Sequence, residues 1–324
     1  MEITDLAGLS QPLTKLIEVV SAGFGAVAKP ILTIANTKAD AYAIEHIAAV
    51  TLKNHELLKI NYQSNNICIA TDEKQIADRI SARLSYQEIK RQVNAENIVQ
   101  IAAQELNCEE TVSTEAVDDN WATRFFNIAQ DVSNDEMQSI WGKILAGEIK
   151  KPKSYSLRTL ELLKNISSDE AVVFSKIAKL AINFNGVSFI INDESYLRTN
   201  YSITFSDLLK LEELGLIQKQ LAYQFEQVAT STQMTVNKFM HGNFYVTMSR
   251  LQSSPETNIP VHLFSSIGIQ LLLLTQIDGD LSYVEKFKSM LIRDDVQVEY
   301  GLYNQKDMSM VQVIYSSKSQ VTNV

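Results

Sequence analysis

The chain has 324 residues, 45% of them apolar and 21% charged, which is ordinary for a soluble globular protein and long enough for two or three domains. Its formal net charge of −9 argues against a general affinity for nucleic acid or anionic lipid. Two cysteines, Cys68 and Cys108, exclude a disulfide scaffold and fit a reducing cytoplasm, and the acidic start Met1–Leu9 lacks the basic n-region of a signal peptide.

From Gln11 to Ala35 the chain reads as an amphipathic helix. Gln11, Thr14, Lys15, Glu18, Ala22, Gly25 and Lys29 fall on one face, and Leu13, Leu16, Ile17, Val20, Phe24, Val27 and Ile31 on the other. Ten uncharged residues separate Glu18 from Lys29. At 1.5 Å per residue they reach roughly 15 Å, about half a bilayer core. Small residues at Ser21, Ala22, Gly25 and Ala26 permit close approach of another helix. Leu16, Val20, Ser21, Ala22, Phe24, Gly25 and Ala26 therefore form a candidate interaction helix. Docking on its own domain, self-association and reversible membrane contact are all open to it.

Thr37 to Gln63 reads as a long helix, with His46 and His55 too far apart for a helical metal pair. Asp72 to Leu106 is a second long helical pattern with Ile76, Ile80, Leu84 and Ile98 on its apolar positions, and the acidic run 107–118 reads as a loop. Asp118 and Asp119 then open a helix carrying Trp121, Phe125, Ile128 and Ala129. Ser133 or Asn134 caps the next, with Met137, Ile140, Trp141, Ile144 and Leu145 as its stripe. Three lysines at 150, 151 and 153 suit its C-terminus, Pro152 stops it, and Ser156 caps a third helix. Trp121, Phe125 and Trp141 are the candidate core or contact corner, and aromatics at this spacing pack cores far more often than they bind ligands.

Ser167 and Glu170 make a capping box that opens one more helix. The pattern then changes: Val187–Ile191 reads as a strand, Ser206 caps a helix that stops at Gly215, and Tyr245–Arg250 alternates as a half-buried strand. Pro260–Phe264 is a short strand, and Ser265 caps a very apolar helix. A helix over 282–292 and strands over 296–303 and 310–315 finish the chain. The fold class is α+β: a mostly helical N-terminal half, then a degenerate winged-helix-like module and a small α/β tail. The expected segments are 1–36 (apolar helix), 37–184 (helical domain), 185–277 (winged-helix-like) and 278–324 (tail).

The words WATRFFNIAQDVSNDEMQSIWGKILAGEI, SLRTLELLKNISSDEAVVF and LEELGLI, with the opening GLSQPLTKLIEVVSAGFGAVAKP, resemble an uncharacterised bacterial family, that of domain of unknown function 2806. The resemblance covers most of the chain and carries no catalytic residue. The W-x₂-ILAGE word followed by a leucine, serine and acidic helix is also similar, more loosely, to the alpha family of abortive-infection proteins. That implies phage defence by fold-level analogy.

Chemistry is not nominated by any motif. There is no phosphate-binding glycine loop, no Cys-x₂-Cys pair and no nucleophile elbow, so no catalytic, cofactor or metal residue is expected. Glu88-Ile-Lys90 and Glu148-Ile-Lys150 match the tail of a restriction-type nuclease motif, yet both fall in helical patterns. The recognition-helix candidate, 206–214, carries Asp207, Glu212 and Glu213 against Lys210, the wrong balance for a phosphate-lined groove, and the wing candidates Lys238 and Arg250 are too few to repair it. The expectation is a non-enzymatic cytoplasmic protein that acts through a protein partner or self-association, with peripheral membrane contact open through its first helix. A winged-helix DNA-binding transcriptional regulator is the alternative.

Overall fold

A computed structural model describes residues 10–24, 60–63, 66–69, 73–225, 234–251, 257–303 and 310–316. The chain divides into two compact units, 1–160 and 161–324.

The first unit is helical. Its elements are α1 (Gln11–Phe24), a hairpin of β1 (Ile60–Gln63) and β2 (Asn66–Ile69), α2 (Glu73–Leu106), α3 (Asp119–Ala129) and α4 (Asp135–Lys150). Local chemistry sets the boundaries. Asp118 accepts from the Trp121 N–H and caps α3, and Asn134 accepts from the Met137 N–H and caps α4. The C-terminal half of α2 turns Ala95, Ile98, Val99, Ala102 and Leu106 into the core, where α4 packs on it. Gly142 of α4 lies so close to Ile101 that a Cβ there would collide with that side chain. α1 lies mainly on α3 and also meets α2 and α4.

The second unit takes in the end of α5 (Leu157–Asn165), then α6 (Ser168–Ala178), β3 (Ile182–Phe184), β4 (Val187–Ile191), α7 (Glu194–Tyr201), α8 (Phe205–Glu213), β5 (Ile217–Gln224), β6 (Met234–His241), β7 (Phe244–Leu251), β8 (Asn258–Phe264), α9 (Ser266–Leu272), α10 (Leu281–Leu291), β9 (Val296–Tyr303) and β10 (Met310–Ser316). Its strands form one antiparallel sheet in the order β10-β9-β7-β6-β3-β4-β8-β5. β6 and β7 run in unbroken register from Met234↔Leu251 to His241↔Phe244. β3 and β6, in contrast, share a single registered pair, Asn183↔Met240. The His241 side chain stitches this thin joint, its Nδ1 lying 3.0 Å from the Ala181 carbonyl. That oxygen only accepts, so Nδ1 carries the proton; burial holds the ring's pKa below its ordinary value, and the ring is neutral. α10 packs on β7 and β9 and reaches across the joint. Its Tyr283 hydroxyl accepts the Ile191 N–H of β4 at 2.9 Å, and Phe287 lies 5.8 Å from Phe189 and 5.1 Å from Phe239.

The α+β class stands. Several expectations do not. Of the helix expected over 37–63, residues 60–63 are instead strand β1, because Ile60-Asn-Tyr-Gln and Asn66-Ile-Cys-Ile carry the β-branched and aromatic residues that suit paired strands. The rest of that expected helix, with His46 and His55, lies outside the described residues. α8 is capped by Thr204 rather than Ser206, since Thr204 and Asp207 form a reciprocal capping box and Ser206 is already inside the helix. In the described part of the expected tail, β9 lies between β7 and β10 in the sheet, and α10 packs on β7 and β9. β6 and β7 do not form a free wing. They enter the middle of the sheet, which leaves Arg250 buried and only Lys238 of the two wing cations exposed.

Candidate functional site

The aromatic corner of the first unit is core. Trp121 and Phe125 stack at 5.1 Å, Phe125 meets Trp141 at 5.3 Å, and all three are buried. Trp121 Nε1 donates to the Tyr155 carbonyl at 2.7 Å, tying α3 to the proline-marked turn after α4. That turn is built on the glutamate of one of the nuclease-like triplets. Glu148 is buried and accepts the backbone N–H groups of Lys153 at 2.6 Å and Tyr155 at 3.0 Å. Burial pushes its carboxyl above the ordinary range, and those N–H groups pull it back. A carboxylate near a helix C-terminus opposes the helix dipole. Its place in the last turn of α4, just before Pro152, was the signal that it must turn inward to backbone donors. Lys150 pairs outward with Glu109 at 2.8 Å, so Glu148 and Lys150 do not converge on a substrate.

The candidate interaction helix is docked. Leu16 and Val20 are buried, Ser21 and Phe24 half-buried and Ala22 exposed, while Gly25 and Ala26 lie outside the described residues. The small residue that permits close approach is Gly23, whose Cβ would fall 2.6 Å from the Ala122 carbonyl oxygen and from the Phe126 ring. Phe24 meets Phe126 at 5.5 Å. Polar latches hold the other end: Lys15 Nζ donates to the Ser113 carbonyl at 2.7 Å and the Glu115 carbonyl at 2.5 Å, and Gln11 Oε1 accepts the Val112 N–H at 3.0 Å. Burial lowers the Lys15 pKa, against the pull of Glu115, Glu18 and Glu148.

The second unit carries a surface that residue patterns alone did not mark. α8 buries Leu208 and Leu211 and leaves Phe205 59% and Leu209 42% exposed, one turn apart on the same face. Strand β5, at the edge of the sheet, adds Leu221, 75% exposed, and Lys219, whose Nζ lies 6.0 Å from the Phe205 ring centre and 3.1 Å from Glu194. Beneath lies His262 on β8, buried between Ile190 and Lys219 in register, with Nδ1 3.2 Å from Glu212 of α8. Burial lowers the His262 pKa, opposed by Glu212; Lys219 lowers it further and Glu194 raises it. The neutral ring donates from Nδ1 to Glu212 and so fixes α8 against β8. The pair supports the surface: His262 is buried beneath it, and Glu212 reaches its rim.

Among the described residues no group of His, Cys, Asp and Glu side chains is placed to hold a metal ion, and no helix is long and apolar enough to cross a membrane. The family model described as "Protein of unknown function (DUF2806)" matches residues 78–288, from the first turns of α2 to the last turn of α10. The chain belongs to this family. The DUF2806 match takes in both the tryptophan corner and the α8 surface, so neither is an addition outside the family's span. No curated protein and no solved structure matches the chain.

Proposed function

We propose that this DUF2806 protein is a non-enzymatic interaction protein that engages a protein partner through the exposed face of α8 and the β5 edge. With β3 before β4 and the β6–β7 hairpin between β5 and β8 set aside, the order α6, β4, α7, α8, β5, β8, with β8 lying between β4 and β5, supports reading this part as a degenerate winged-helix module. In such a module α8 takes the place of the groove-entering helix. The observation that carries the proposal is what α8 presents there: Phe205 and Leu209 exposed, Asp207, Glu212 and Glu213 around them, and Lys210 as the cation of the helix. Apolar area rimmed by carboxylates suits a protein surface with basic and apolar groups and repels a phosphate-lined groove. The N-terminal helix belongs to the same reading as a docked element that, when released, mediates self-association or membrane contact.

The test is a comparison of the wild-type chain with Phe205→Ser/Leu209→Ser, both exposed positions whose change leaves the core intact. Crosslinking in the native host should capture a discrete partner on the wild type that is lost on the variant, at equal melting temperature. Duplex DNA binding at micromolar affinity that weakens steeply with salt would overturn the proposal in favour of a DNA-binding regulator. Deleting residues 1–35 and following light scattering and liposome flotation separates the two roles of the N-terminal helix. The phage-defence role is read from phage plating on cells with and without the gene, and equal plaque counts would remove it.

A further inference from the structure

A cleft of about 290 Å³ opens in the second unit where α6 and α7 meet the loop leading into α10. α6 and its C-cap supply Lys176 and Lys179, α7 supplies Tyr201, and the loop supplies Asp278, Gly279 and Asp280. The loop is held in one shape. Gly279 has φ 84°, a conformation that L side chains rarely adopt, and a Cβ there would strike Asn243. The facing Gly242, φ 55°, lies so close that its own Cβ would strike the Gly279 backbone.

The polar groups of the cleft are not equally engaged. Asp280 is fully used: one oxygen accepts the Tyr201 hydroxyl at 2.8 Å and the other the Tyr283 N–H at 3.2 Å, capping α10. Asp278 accepts from Gln276 Nε2 at 2.8 Å through Oδ1, which leaves Oδ2 open toward solvent. Among the described residues neither Lys176 nor Lys179 forms an ion pair. The charge of Lys176 helps to lower the Asp207 carboxyl's pKa, without an ion pair between the two. The cleft is therefore lined by two cations from α6 and its C-cap and by an acceptor from the loop, with the Tyr201 hydroxyl turned to Asp280.

We infer that this cleft binds a small phosphorylated polyol, its phosphate held by Lys176 and Lys179 and its hydroxyls donating to Asp278. A phosphate dianion matches two ammonium groups, whereas a dicarboxylate would set its second charge against Asp278. A sugar hydroxyl supplies the donor that a carboxylate needs. The volume stands just below the usual range of ligand pockets, about 300–1,000 Å³, which suits a ligand as small as a sugar phosphate. Bound there, the ligand would join α6 to the start of α10.

The experiment is isothermal titration of the full chain with ribose 5-phosphate, glycerol 3-phosphate, ribose and inorganic phosphate. The expected result is saturable binding of at least one phosphorylated polyol, tighter than inorganic phosphate, with no heat from ribose. Lys176→Ala/Lys179→Ala, at exposed positions, should weaken it about tenfold or more at an unchanged melting temperature. Asp278→Asn should weaken the polyol phosphate and leave inorganic phosphate as tight or tighter. Silence from both polyol phosphates at millimolar concentration overturns the inference, as does equal affinity for inorganic phosphate or undiminished binding by the lysine variant.

Discussion

Gly23→Ala sets two opposed effects against each other at the docking of α1. Replacing a helical glycine by alanine stabilises a helix by about 0.5–1 kcal/mol, and less near an end such as this one. The added methyl, however, would sit 2.6 Å from the Ala122 carbonyl oxygen and from Phe126 Cδ2. The first of these is backbone and cannot rotate away, so α1 or α3 must shift. Overpacking of this kind costs about 1–3 kcal/mol. The sum is a net loss of about 0.5–2.5 kcal/mol, or up to several degrees of melting temperature for a unit of this size. Since α1 is the displaced partner, hydrogen exchange should also accelerate over Gln11–Phe24, ahead of α2 and α4. Ala22→Leu, one residue away on the exposed side, should stay within about 0.5 kcal/mol of wild type. Circular-dichroism melting and exchange mass spectrometry on both variants decide the matter. A Gly23→Ala protein with equal or higher melting temperature and unchanged protection of α1 would mean that the helix does not lie on Ala122 in solution.

Trp141→Ala should cost about 3–5 kcal/mol because the side chain is fully buried; Trp121→Ala should cost a similar amount and also leave the Tyr155 carbonyl without its donor. Unchanged melting of either variant, read by calorimetry, would make the corner a binding surface instead. Asp193 is held down to about 2 by the hydrogen bond from Lys286, by the Tyr196 N–H and by the Ser195 hydroxyl. Its folded pKa is depressed, so its contribution is present above 3.8 and lost as pH falls toward 2. Asp193→Asn, which keeps an N-cap oxygen, should therefore flatten the acid limb of the stability curve over that window, by about 1–2 kcal/mol after allowing for solvent screening. Equal acid limbs in denaturant titrations at pH 2, 3 and 5 would show that the Lys286 pair does not persist in solution. Fluorescence anisotropy with duplex DNA at physiological salt should show no tight, sequence-independent binding, because α8 is acidic and Arg250 is buried.

What could be read from the sequence was what is written locally. Asp118, Asn134, Ser167 and Ser265 cap their helices as side-chain chemistry dictates, and the stripe Trp121, Phe125, Ile128, Ala129 is buried as its spacing requires. What could not be read depends on partners far along the chain. Nothing near Val296 says that β9 will lie beside β7 rather than form a tail of its own. Nothing near Gly23 says that Ala122 and Phe126 of α3 will lie against it. Exposure of Phe205 and Leu209 follows from which side of α8 faces β5 and the core, and the helical period gives two candidate faces without ranking them. The cleft gathers Lys176, Tyr201 and Asp278 across about a hundred residues, a combination for which no short motif exists.

The single registered pair between β3 and β6 gives the sheet a fault line. On one side stand β10, β9, β7 and β6; on the other β3, β4, β8 and β5. β6–β7 and β7–β9 share eight and seven registered pairs, β5–β8 six, and even β3–β4 and β4–β8 three each, so every ladder within a side outnumbers the one pair that joins the two sides. The second unit should therefore open as two cooperative blocks, with amide protection lowest at Asn183 and Met240 and a shared, higher protection within each block. α10 is the splint over the break, through Tyr283 and Phe287. Tyr283→Phe, which removes the acceptor for the Ile191 N–H, would uncouple the blocks and split one unfolding transition into two.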